Sequence, residues 1–113
     1  MATMRCEREH RSRLPREVER LLEDLCLDYP RRQRVLERQD ARADVLRHYR
    51  YLNAATRDAL LPICGEEHFD LFLQDIAGRR SRSRSPQYWL HPSTYAMKKR
   101  QGKFALARRL RLF

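Results

Sequence analysis

The sequence is short of glycine, cysteine and uninterrupted apolar residues: its 113 positions hold three Gly and three Cys. The glycines stand apart at Gly65, Gly78 and Gly102, so there is no glycine-rich phosphate loop, and neither a nucleophile elbow nor a recognisable triad takes its place. Glu66-Glu67-His68 with Asp70 comes nearest to an acid–base cluster, but acids at a helix N-terminus are already accounted for by the helix dipole. An enzyme is not expected. Cys6, Cys26 and Cys64 are odd in number and widely spaced, which argues against a disulfide framework; Cys26 and Cys64 read as small buried hydrophobes. The pairs Cys6-x3-His10 and Cys64-x3-His68 depart from finger spacing, so neither a metal nor another cofactor is expected.

No apolar run approaches the roughly eighteen residues that a membrane span needs, and Met1 to His10 has no hydrophobic signal region. Glu7, Glu9, Glu17 and Glu19 interrupt the bases that a mitochondrial presequence would show. The expectation is an intracellular protein of nucleus or cytoplasm with no membrane partner and no small-molecule substrate.

Acids are missing altogether from Arg79 to Phe113, where eleven Lys and Arg stand unopposed. Residues 1–50 hold thirteen Arg against ten acids and residues 51–78 one Arg against five, so the three stretches carry net charges of +3, −4 and +11. A block of unopposed positive charge repels itself when free and is useful when something negative lies against it.

With 35% charged residues and a mean hydropathy of −0.84, the chain has material for one modest core. Apolar residues gather between Leu14 and Ala77. Leu14, Val18, Leu21, Leu22 and Leu25 fall at the spacing of one helical stripe, with Pro15 suited to the first turn. Asp28-Tyr29-Pro30 reads as an interruption, because a proline disfavours helical backbone at the residue before it. A longer helix is predicted from Arg31 to about Leu52, with Arg34, Arg38, Arg42 and Arg47 alternating with Glu37, Asp40 and Asp44 as a solvated, ion-paired face. Asn53 is placed to cap a short Ala54–Leu61 segment that Pro62 ends. Phe69, Phe72, Leu73 and Ile76 line one side of a further helix closed by Gly78.

No alternating strand pattern appears. The predicted fold is therefore all-α, a small three- or four-helix arrangement with an Arg-rich, largely extended C-terminal segment. It divides into a basic N-terminal arm (1–13), a helical body (14–78) and an Arg-rich aromatic segment (79–113). Within the last, Pro92-Ser93-Thr94 can open a short helix that Gly102 weakens.

Arg79-Arg80-Ser81-Arg82-Ser83-Arg84-Ser85-Pro86 pairs forked guanidinium donors with phosphorylatable serines and, over those eight residues, resembles the arginine–serine dipeptide segments of eukaryotic RNA-associated proteins. Arg79, Arg80, Arg82 and Arg84 are candidate phosphate contacts, with Lys98, Lys99, Arg100 and Lys103 as a second basic cluster. Tyr88, Trp89 and Tyr95 lie among these bases, as stacking platforms for unpaired bases, as anchors in a protein groove, or as rings that pack back on the protein's own helices. The leading expectation is a non-enzymatic binder of RNA or DNA. The alternatives are a structural subunit stapled against an acidic protein surface of a ribosomal or cytoskeletal assembly, and a helical protein–protein adaptor.

Overall fold

A computed structural model describes residues 14–78 and 91–112. Among them are four α-helices, one 3-10 turn and no strand: α1 (Arg16–Arg38), α2 (Ala43–Cys64), the turn Glu66–His68, α3 (Phe69–Ile76) and α4 (Pro92–Arg109). The all-α class read from the pattern holds. The helices share one core, built from Leu22, Cys26 and Tyr29 of α1, Leu60 and Cys64 of α2, Phe69, Phe72, Leu73 and Ile76 of α3, and Tyr95, Leu106 and Ala107 of α4.

The predicted break at Asp28-Tyr29-Pro30 does not occur, since α1 runs straight through Pro30. Proline inside a helix removes one backbone bond and costs about 3 kcal/mol. Tertiary polar contacts collect on the flanking turns. Arg32, only 2% exposed, donates from Nη2 to the Leu25 carbonyl (2.7 Å) and from Nε to Asn53 Oδ1 (2.7 Å). Asn53 in turn donates from Nδ2 to Gln33 Oε1 (3.2 Å) and towards the Tyr29 carbonyl (3.4 Å). These bonds tie both sides of Pro30 to α2 and hold the helix in one piece. The true reversal comes at Gln39, left-handed at φ 57, whose N–H donates to the Val35 carbonyl (2.8 Å) and whose side-chain amide donates to that of Leu36 (2.7 Å).

The helix expected from Arg31 to Leu52 is thus two helices split at residues 39–42. Asn53 is no cap either: it lies buried inside α2, drawn in by Arg32, and Pro62 sits within the last turn of the same helix. α3 matches the predicted stripe, with Phe69, Phe72, Leu73 and Ile76 all buried and Gly78 left-handed at φ 75 just beyond it.

The largely extended C-terminal segment is also corrected. Residues 92–109 are helical, begun by Pro92 with His91 Nδ1 accepting from the Ser93 N–H (3.3 Å). α4 ends where Leu112 N–H donates to the Ala107 carbonyl (2.9 Å) and Arg111 N–H to that of Arg108 (3.1 Å), with Arg111 left-handed at φ 55. That is a Schellman closure, and Leu112 packs back on the core as the motif requires. Gly102 does not weaken the helix idly. A Cβ there would stand 3.0 Å from Phe72 Cε2 and 3.1 Å from Leu60 Cδ2, so its absence lets α4 close on α2 and α3.

Two variants test this packing by urea denaturation. Arg32→Ala strands the Asn53 and Leu25 acceptors and should cost about 2–4 kcal/mol. Arg32→Lys, which keeps the charge but loses the fork, should recover less than half of that. Because its side chain would press on the fully buried Phe72 and Leu60, Gly102→Val should cost about 1–3 kcal/mol despite removing a helix glycine.

Candidate functional site

α4 carries six bases and no acid. Its inner stripe, Tyr95, Gly102, Leu106 and Ala107, is buried, which leaves the cations on the remaining circumference. Ala96, Lys99, Arg100 and Lys103 follow the i, i+3, i+4, i+7 rule of one helix face and line a hollow of about 240 Å³. Lys103 has Glu23 of α1 within 3.9 Å, and its side chain is 18% exposed. Lower on the helix, Arg109 is paired with Asp58 of α2 at 2.7 Å. Lys98, Arg100 and Arg108 have no carboxylate within 4 Å among the described residues. Arg108 and Arg109 also sit in the last turn, where the helix dipole favours positive charge.

Of the predicted basic cluster, the structure thus brings Lys99, Arg100 and Lys103 together and leaves Lys98 off the hollow's lining. Arg108 adds an exposed cation to the same helix. Ala96 and Glu23 were missed by a reading that looked only for bases; the helical spacing from 96 to 103 was the available signal for Ala96, and nothing local marks Glu23. Tyr95 is corrected as a stacking or groove anchor: it is 0% exposed, meets Phe72 edge-on with ring centroids 6.0 Å apart, and donates its hydroxyl to Asp75. Arg79, Arg80, Arg82, Arg84, Tyr88 and Trp89 lie outside the described residues, as do Cys6 and His10.

No known protein family, curated protein or solved structure matches this chain.

Outside α4, Arg31, Arg32, Arg42 and Arg57 are engaged in local structure. Arg31 forks onto Asp28 (2.6 and 2.7 Å), lies over the Tyr49 ring at 5.2 Å and donates to its hydroxyl at 3.0 Å. Arg31's hydrogen bonds hold the Asp28 carboxyl below its usual range. Arg57 bridges Glu66 (2.8 Å) and the face of Phe69 (5.1 Å), which gives Glu66 of the 3-10 turn a structural contact. Of the alternating charges between Arg34 and Arg47, Arg42 with Asp44 at 3.4 Å is the one ion pair among the described residues.

Among the described residues there is no cluster of three or more His, Cys, Asp or Glu suited to a metal ion, and no helix long and apolar enough to cross a membrane. Both described thiols are buried. Burial pushes Cys26 up to about 12 and Cys64 up to about 11. At neutral pH each is a neutral thiol, the unreactive form.

A raised folded-state value means that the folded chain holds its thiol protons more tightly than the unfolded chain. The stability these groups contribute is complete below about pH 9 and is lost as pH rises towards 11–12, by about 1.4 kcal/mol per unit for each thiol. Iodoacetamide at pH 8 should therefore leave Cys26 and Cys64 unmodified until denaturant is added. Rapid alkylation of the native chain at either position would contradict the burial.

Proposed function

We propose that the chain is a non-enzymatic binding protein that lays the basic outer surface of α4 against the phosphate backbone of RNA or DNA. The observation that carries this reading is a helix with six bases and no acid, docked by its apolar side, on a chain of net charge +10. Arg100 and Arg108 are the contacts most accessible to phosphate, with Lys98 and Lys99 beside them. The Arg79–Arg84 cluster adds charge on the same side of the sequence, immediately before α4.

Such contacts act by neutralising phosphates and releasing counterions. They position a strand without reading its bases, so sequence selectivity should be slight. A docked helix adds something that a free basic tail lacks, because its cations are held in place before binding and lose less freedom when the ligand arrives.

Fluorescence anisotropy with single-stranded RNA and DNA at several salt concentrations tests the proposal. Four to six phosphate contacts give a slope of log K on log salt of about −3 to −4. The double variant Arg100→Glu/Arg108→Glu should weaken binding and make that slope shallower by about 1–2. Equal affinity and slope for the wild type and the variant would refute the proposal.

A further inference from the structure

We propose that the basic surface of α4 continues onto the outer face of α2, where the ring of Tyr51 stacks on an unpaired base, so that the ligand is single-stranded RNA or DNA rather than duplex. This rests on the polyanion reading above and names the class of nucleic acid which that reading leaves open.

Placement is the first argument. Arg47, Arg50, Tyr51, Ala54 and Asp58 recur at the i, i+3, i+4 and i+7 spacing of one helix face, and all five are exposed. The side of α2 that meets α1 carries Tyr49 and Asn53 instead. Asp58, at the end of the outer face, is paired with Arg109 at 2.7 Å, so the face runs into the basic end of α4 beside Arg108. Tyr51 stands two helical turns, about 10 Å, from that junction.

The second argument is which groups the fold leaves unused. Arg47 and Arg50 have no ion pair or hydrogen bond among the described residues, whereas the acids near them are taken, Asp58 by Arg109 and Asp44 by Arg42 at 3.4 Å. Tyr29 and Tyr95 are buried in the core, and Tyr49 holds Arg31 with both its ring and its hydroxyl. Tyr51 makes no ring contact or hydrogen bond among the described residues and, at 56%, is the most exposed of their large apolar side chains. One turn on, Ala54 offers only a methyl, which leaves the ring uncovered on that side.

An open ring beside two unpaired guanidinium groups suits a nucleotide with its backbone phosphates, the guanidinium forks taking phosphate oxygens and the ring taking the base. Such stacking tolerates any base, in keeping with slight sequence selectivity. A duplex keeps its bases stacked on one another and offers Tyr51 only sugar and phosphate.

Fluorescence anisotropy with a labelled oligothymidine strand, its duplex with oligoadenine and labelled poly-L-glutamate tests the inference. Tyr51→Ala, an exposed change to the best helix former, should weaken the single strand about 5- to 100-fold and leave the duplex unchanged. Tyr51→Phe should bind like the wild type. Arg47→Glu/Arg50→Glu should weaken the strand and make its slope of log K on log salt shallower by about 1–2, while Tyr51→Ala should leave that slope as it is. Irradiating the complex with an iodouracil-substituted strand should attach the strand to Tyr51.

The outcomes separate this inference from the α4 reading. Tyr51→Ala that weakens strand and duplex alike, or neither, would overturn the inference; the α4 reading would still stand if Arg100→Glu/Arg108→Glu weakened both ligands. Poly-L-glutamate bound as tightly as the strand, with the same dependence on Tyr51, would also overturn it and assign the face to an acidic protein. Tyr51-dependent strand binding that ignores Arg100→Glu/Arg108→Glu would uphold the stacking site on α2 and refute the α4 reading. No binding of any ligand would refute both.

Discussion

Beneath α4 the hydroxyl of Tyr95 donates to the carboxylate of Asp75, with the two residues 0% and 3% exposed. A carboxylate leaves water only when a partner replaces the lost hydration, and Oδ1 of Asp75 is buried with no hydrogen-bond partner among the described residues. The phenol is therefore what makes the Asp75 position tolerable. The bond also places α4 in rotation and height: with Tyr95 turned inward, Gly102 meets Phe72 and Leu60 two helical turns later, and Ala96, Lys99, Arg100 and Lys103 are turned away from the core. Lys103 with Glu23 and Arg109 with Asp58 then add contacts to α1 and α2, so α4 makes a polar contact with each of the other three helices.

What the sequence alone discloses follows the range of the interactions concerned. The α3 stripe and its glycine stop are local, and both read correctly from spacing. Pro30 and Pro62 misled because a proline's local preference was overridden. At Pro30 the overriding contact comes from Asn53, more than twenty positions away, through an arginine whose charge suggested the surface. Asn53 itself has a cap's chemistry, and only the approach of Arg32 turns it into a buried acceptor. Gly102 shows the same limit: its intrinsic helix penalty is visible in sequence, while the close packing that it permits depends on Phe72 and Leu60.

The candidate site was partly legible for a similar reason. Unopposed charge in the last third of the chain stands out by composition, and it led to Lys99, Arg100 and Lys103. Tyr95 was misassigned because aromatics among bases look alike whether they point outward or inward. Its burial depends on the apolar run Phe104, Ala105, Leu106 and Ala107 continuing the helix and on Asp75 waiting in α3.

The unbroken α1 has a mechanical consequence. At 23 residues it is about 35 Å long, yet none of its positions beyond Tyr29 joins the shared core, and none in α2 before Ala59 does. The far end of the α1–α2 hairpin is a lever arm. Its fulcrum lies where Arg32 clasps Asn53 beside Pro30, and a load applied at the tip near Gln39 would act through that clasp before it reached the core.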